Sequence, residues 1–340
     1  FKEIFGYFKN KQLLTIFIFG IASGFPWVMT GSAMSGWLKD EGLSRSSIGL
    51  FGLIFAVYSI NFLWSPLTDR IKIWLLHRKL GQRKSWIFAT QLIIIAATIV
   101  LGYFNAKEHL PLMALFALFI TIAGSTQDIA IDAYRIDSLN DENSNVMAAG
   151  SAMATAGWWT GFAGLGSVPF LLVDRPGWSW PDVYWVLAVI SAILMINTLV
   201  AREPKGDNRE LVINSIQENY QKLMPSQGLR PLGVLLILPL IFFCIVYANI
   251  GYPLWPSHLL PEEYQFSVIT LCAVILMIVF YRQLKLMNSA LGAMNNNTSD
   301  FHQPSVHIPN RIHRLTAWLI ATSVAPIQEF FDRNGFKFAI

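Results

Sequence analysis

Residues 13–38 read LLTIFIFGIASGFPWVMTGSAMSGWL, a run without one charged side chain. A helix rises about 1.5 Å per residue, so this run exceeds the roughly 20 residues that cross about 30 Å of hydrocarbon. It ends on Lys39, Asp40 and Glu41 instead of a small-residue cleavage site, so it reads as a helix that stays in the membrane, not as a leader. Outward from it, similar runs recur near 48–67, 85–104, 111–131, 146–173, 183–200, 232–254 and 266–281, and a ninth starts at Phe336. Composition agrees: 54% of the 340 residues are hydrophobic, only 14% are charged, and mean hydropathy is +0.46. Soluble domains carry about 25% charge. The fold class is therefore all-α, a polytopic membrane protein.

Basic residues flank spans on the cytoplasmic side. With the N-terminus inside, 21 of the 25 Lys and Arg residues fall in cytoplasmic segments, and only Lys39, Arg45, Lys107 and Arg175 fall outside. Topology and inner-leaflet lipid thus account for a formal charge of +4, with no nucleic-acid partner implied. Cys244 and Cys272 lie in apolar runs without a CxxC pair, and the six histidines are scattered, so no metal and no cofactor is expected. The sequence has no G-x-S-x-G, H-E-x-x-H or P-loop, hence no activated nucleophile, and it does not read as an enzyme.

The organisation reads as a six-helix unit over 1–202, a cytoplasmic linker over 203–231, two inserted spans over 232–287, and a cytoplasmic connector leading into a further helix over 288–340. Many secondary transporters pair one such half with a second. Here the C-terminal half is expected to be absent, so the chain reads as a piece.

In the first span, Gly20, Ser23, Gly24, Pro26 and Gly31 stand where leucine and valine would ordinarily be. Pro26 lacks a backbone donor and frees carbonyls of the preceding turn, which inside a bilayer need protein or water beside them. Two readings stay open together: a helix lining a cavity, and close packing of Gly20 and Gly24 on a neighbour. The fifth span repeats the theme with Gly150, Gly157, Gly161, Gly164 and Gly166 around Trp158-Trp159. Successive residues turn by about 100°, so one indole faces outward and the other inward, where a ring and its N–H suit a sugar. Trp178, Trp180 and Trp185 read as membrane-interface anchors.

Charge within the fourth span is the sharpest signal, since an ionised carboxylate there costs several kcal/mol unless hydrated or paired. Asp128, Asp132 and Arg135 recur at i, i+4 and i+7, which predicts one shared face turned to the bundle interior. Asp128, deepest of the three, reads as a protonatable group or gate; Asp132 and Asp137 read as structural ion-pair partners.

Between spans two and three runs Ser65-Pro66-Leu67-Thr68-Asp69-Arg70, then Gly81-Gln82-Arg83-Lys84. This pattern resembles the cytoplasmic loop of the major facilitator superfamily, G-x-x-x-D-R-x-G-R-R/K, stretched by about ten residues and with Ser65 at the first glycine. Four further segments resemble the AmpG muropeptide permease family in order and spacing. They are Gly20-Ile21-Ala22-Ser23-Gly24-Phe25-Pro26, Ile48-Gly49-Leu50-Phe51, Leu63-Trp64-Ser65-Pro66-Leu67-Thr68-Asp69-Arg70, and Gln127-Asp128-Ile129-Ala130-Ile131-Asp132-Ala133-Tyr134-Arg135.

The resemblance covers about residues 10–202 and implies a six-helix transporter half with two inserted helices. It implies import of anhydromuropeptides from periplasm to cytoplasm by proton symport for cell-wall recycling, with the substrate, the proton, membrane lipid and the missing half as partners. It also implies an inner-membrane location. On that basis Asp69, Arg70, Arg83 and Lys84 serve a cytoplasmic gate together with Asp132 and Arg135, Asp128 couples the proton, and Gln127, Trp158, Trp159, Gly24 and Pro26 meet the substrate. The Gln-Asp-Ile-Ala-x-Asp segment is also similar to acetyl-CoA carriers of the same superfamily. A half-transporter that does not transport alone is the other alternative.

Overall fold

The computed structural model describes residues 7–61, 64–139 and 144–204, with six isolated positions beyond them. Every ordered element among the described residues is helical. In chain order the helices are α1 (Lys11–Asp40), α2 (Arg45–Ile60), α3 (Ser65–Arg70), α4 (Trp74–Leu80), α5 (Gln82–Leu101), α6 (Leu110–Leu139), α7 (Ser144–Val173) and α8 (Trp180–Val200). Five of these, α1, α5, α6, α7 and α8, are long and apolar enough to cross a membrane. They coincide with expected spans one, three, four, five and six.

The chain divides into two compact units. The first comprises Phe1–Asn61, Ile71–Gly206 and Tyr247–Leu254; the second comprises Phe62–Arg70, Asp207–Val246 and Trp255–Ile340. Within the expected second span, 48–67, the described residues hold α2, which passes through a 3₁₀ turn at Leu53–Phe55 and ends at Ile60, and the start of α3 at Ser65, which belongs to the other unit. Gly49 and Gly52 weaken α2. Pro66 sits at the start of α3, where a missing N–H is harmless. The expected linker, inserted spans and connector lie almost wholly outside the described residues, as do both cysteines.

In the first unit α1 packs most extensively on α7, and α5 on α6 and α8, with α1 also touching α6 and α8. Local signals set the ends. Asn10 caps α1 by accepting from the backbone N–H of Gln12 at 2.9 Å, and Ser179 and Asp182 form a reciprocal capping box at α8.

Burial is inverted relative to a soluble bundle. Val189, Ile193, Ile196 and Val200, at helical spacing on α8, are all more than half exposed, while Thr90, Gln91, Thr98, Thr121, Gln127 and Thr198 are buried. Lipid wets the apolar stripe, and hydroxyls and amides bond within the bundle.

The seam between α1 and α7 is made by glycine. A Cβ at Gly20 would overlap the Ala154 carbonyl, one at Gly24 the Trp158 carbonyl, one at Gly157 the Phe17 carbonyl, and one at Gly161 the Ile21 carbonyl. Two small-xxx-small pairs thus let the backbones touch. Both helices then pass through a π-turn, Val28–Ser32 in α1 and Thr160–Gly164 in α7. The Trp180 expectation is corrected: Trp180 is 5% exposed, and its indole donates to Asp40 Oδ2 at 2.8 Å, whereas Trp178 and Trp185 are each 38% exposed.

Candidate functional site

The polar centre of the first unit is built where α1 meets α6. Pro26 cannot donate to the carbonyl four residues earlier, that of Ala22, and this oxygen instead accepts the Gln127 side-chain amide at 2.8 Å. One residue further along both helices, Ser23 Oγ donates to Asp128 Oδ1 at 2.6 Å. Consecutive residues of α1 thereby hold consecutive residues of α6. Asp128 lies about 27 Å along a helix of about 45 Å, and it is half-buried.

One turn before Asp128, Gly124 leaves room for Tyr58: a Cβ there would stand 2.7 Å from the phenol oxygen and 3.2 Å from Pro26 Cβ. The Tyr58 hydroxyl and the Trp27 indole nitrogen are both buried without a hydrogen-bond partner. Trp27 stacks on Phe55 with ring centroids 4.6 Å apart and lies 4.5 Å from Tyr58. It meets Trp158 edge-on at 5.9 Å, and Trp158 tilts over Phe162 at 5.2 Å. An aromatic group from α1, α2 and α7 therefore stands over the face of α6 that carries Gly124 and Asp128. Of the indole pair, Trp158 joins this group, and Trp159 is 56% exposed.

Of the three residues expected on one face of α6, Asp128 and Arg135 are half-buried and Asp132 is exposed. The Asp132 side chain is 63% exposed and pairs at 3.2 Å with Arg135, three residues on. Gln127 and Gly24 are likewise enclosed, Gln127 being 1% exposed and Gly24 lying against the α7 backbone. Pro26 is buried between Gly124 and a small cavity.

A second polar joint ties one end of α5 to α6 and the end of α8. Arg83 Nε meets Asp137 Oδ2 at 2.8 Å, with side chains 6% and 16% exposed. Glu203 caps α5 from a distance, accepting from the backbone N–H groups of Arg83 at 2.7 Å and Lys84 at 3.0 Å. In return Lys84 Nζ donates to the Ala201 carbonyl at 2.5 Å, closing the exposed end of α8, and Tyr134 donates to the Arg202 carbonyl at 2.7 Å. Gly81, at φ +87°, supplies the left-handed turn into α5 and the room for Glu203 that a Cβ would fill. Burial of the Glu203 carboxyl raises its pKa, against the lowering effect of those backbone donors and of Lys84.

Arg83 and Lys84 both lie at this joint. Asp69 and Arg70 belong to α3 in the other unit, where Arg70 Nη1 approaches the Trp318 carbonyl at 3.4 Å. Ser23, Trp27, Tyr58 and Glu203 are the residues that sequence reasoning did not assign. The signals were a hydroxyl three residues before Pro26, aromatic spacing across α1 and α2, and an acid placed right after a span.

A model of the Major Facilitator Superfamily matches residues 16–292. The chain belongs to the major facilitator superfamily. Within it the chain is of the AmpG type: it is 32% identical over 198 residues to the anhydromuropeptide permease of Escherichia coli K12, covering 58% of this chain and 38% of that protein. It is 31% identical over 247 residues to putative transporter AmpG 4 of Rickettsia felis, covering 72% and 59%, and 28% identical over 245 residues to putative transporter AmpG 1 of Rickettsia bellii, covering 70% and 58%. The chain spans between about two fifths and three fifths of the length of these curated relatives. Major facilitator membership makes it a multi-pass membrane protein of a transporter family.

Proposed function

We propose that this chain forms part of an inner-membrane permease that imports anhydromuropeptides into the cytoplasm by proton symport. The relatives' name supplies the substrate class, and the observation that carries the mechanism is Asp128, a carboxyl group deep in α6 that bonds the Ser23 hydroxyl. A carboxyl group at that depth is costly to ionise away from water or a partner, so a group that alternately meets the two aqueous sides can take up a proton on one and release it on the other. Ser23 steadies it through the change, since a hydroxyl donates to a carboxylate and accepts from a carboxylic acid.

The substrate combines two sugars with a peptide. Aromatic rings suit the apolar faces of sugars, and the group around Trp27 and Trp158, beside Asp128, offers them together with unpaired N–H and O–H donors. Trp159 extends the same surface. Arg83 and Lys84 belong to the cytoplasmic gate, where the joint with Asp137 and Glu203 keeps the ends of α5, α6 and α8 moving as one body, and Asp132 and Arg135 supply charge to it; Asp69 and Arg70 are gate residues of the other unit.

Uptake assays in cells expressing the complete gene test this. Labelled anhydromuropeptide enters, an imposed inward proton gradient accelerates entry, and unlabelled anhydromuropeptide competes while acetyl-CoA does not. Competition by acetyl-CoA alone would transfer the protein to the acetyl-CoA type of carrier.

A further inference from the structure

A small cavity of about 10 Å3, the least that takes a single water, lies among α1, α5, α6 and α8 and is lined by Ala22, Pro26, Gln91, Ile94, Gln127 and Ser191. Two of these residues are left incomplete in complementary ways. Gln91 Nε2, a donor, and Gln127 Oε1, an acceptor, are both buried without a hydrogen-bond partner. Their other amide atoms are engaged: Thr198 Oγ1 donates to Gln91 Oε1 at 2.7 Å, and Gln127 Nε2 donates to the Ala22 carbonyl at 2.8 Å. The Ala22 carbonyl can only accept, which fixes the end of the Gln127 amide that is left over, and at Gln91 the Thr198 hydroxyl donates to the oxygen and leaves the N–H end over. Ser191 Oγ donates to the Leu187 carbonyl at 3.0 Å and so keeps lone pairs for a donor.

We propose that this cavity is a structural water site. One water accepts from Gln91 Nε2 and donates its two hydrogens to Gln127 Oε1 and Ser191 Oγ, making the three bonds typical of a buried water. A cation does not suit the place, because Gln91 turns N–H toward it. A bare void does not suit it either, because each buried amide atom would stay unpaired inside a membrane, at a cost for each. The filled site links α5, α6 and α8 at the level where α6 is already tied to α1. It completes a chain from Thr198 through Gln91, water and Gln127 to the carbonyl freed by Pro26. Gln91 is then a positioning residue: through the water it holds the rotation of α6 that presents Asp128 to Ser23.

Two measurements on the intact protein in lipid decide this, and neither depends on which substrate is carried. A structure at a resolution that shows ordered water should have density within hydrogen-bonding distance of both amides and of Ser191. A cycle of Gln91→Leu, Gln127→Leu and the double variant should show coupling in thermal unfolding, the double losing clearly less in Tm than the sum of the two singles, because either change alone strands the water and the other amide. A direct Gln91–Gln127 bond, a site without density, or additive Tm losses would each overturn the bridge.

Discussion

The Ala22 carbonyl, left without its helical donor by Pro26, is taken up by the Gln127 side chain at 2.8 Å. A defect in α1 has thereby become a link between α1 and α6. Removing Gln127 strands the oxygen, whereas restoring an N–H at position 26 supplies it from within the helix. Gln127→Leu should therefore destabilise the protein by about 1 kcal/mol or somewhat more. The same change in a Pro26→Ala background should cost less, read by chemical denaturation in micelles. Equal costs in the two backgrounds would mean that the Ala22 oxygen does not depend on Gln127.

The glycine seam makes a steric prediction. A methyl group at Gly24 or Gly161 meets backbone of the facing helix, which cannot swing aside like a side chain. Gly24→Ala and Gly161→Ala should each cost about 1–3 kcal/mol. Gly49→Ala, which meets open space, should be neutral or mildly stabilising in the same unfolding assay.

At the polar joint Arg83→Ala leaves the Asp137 carboxylate enclosed without its guanidinium. The expected loss is about 3 kcal/mol, as for other buried pairs broken on one side. Asp132→Ala, at an exposed pair with Arg135, should cost about 0.5 kcal/mol or less. Thermal unfolding of the two variants side by side checks the contrast.

Glu203 gives the joint a pH dependence. Its folded pKa is raised by burial, so its protonated form is favoured by folding. The resulting stabilisation is full below the ordinary glutamate range and is lost as pH rises through the raised folded value. Glu203→Gln keeps an acceptor and removes the titration. The wild type should therefore lose Tm relative to Glu203→Gln as pH climbs from about 4 toward neutrality, and a difference that stays flat with pH contradicts this.

Much of the bundle was legible because lipid demands long apolar runs, which are hard to mistake; α1 and α5–α8 fell where the runs lie. The 3₁₀ turn inside α2 was not, because hydropathy does not register a local tightening of a helix. The site was half legible. Pro26 announced a freed carbonyl and Asp128 an enclosed charge, but their partners, Gln127 and Ser23, are set by how α1 rotates on α6. Glu203 acts across 120 residues of sequence on the start of α5, a pairing that no local pattern contains.

Uptake of labelled anhydromuropeptide by cells carrying the complete gene, with wild type compared with Asp128→Asn and Ser23→Ala at matched protein level, tests the central claim. Uptake should be proton-driven in wild type, lost in Asp128→Asn, and partly reduced with a shifted pH profile in Ser23→Ala. Undiminished, gradient-dependent uptake by Asp128→Asn would contradict it.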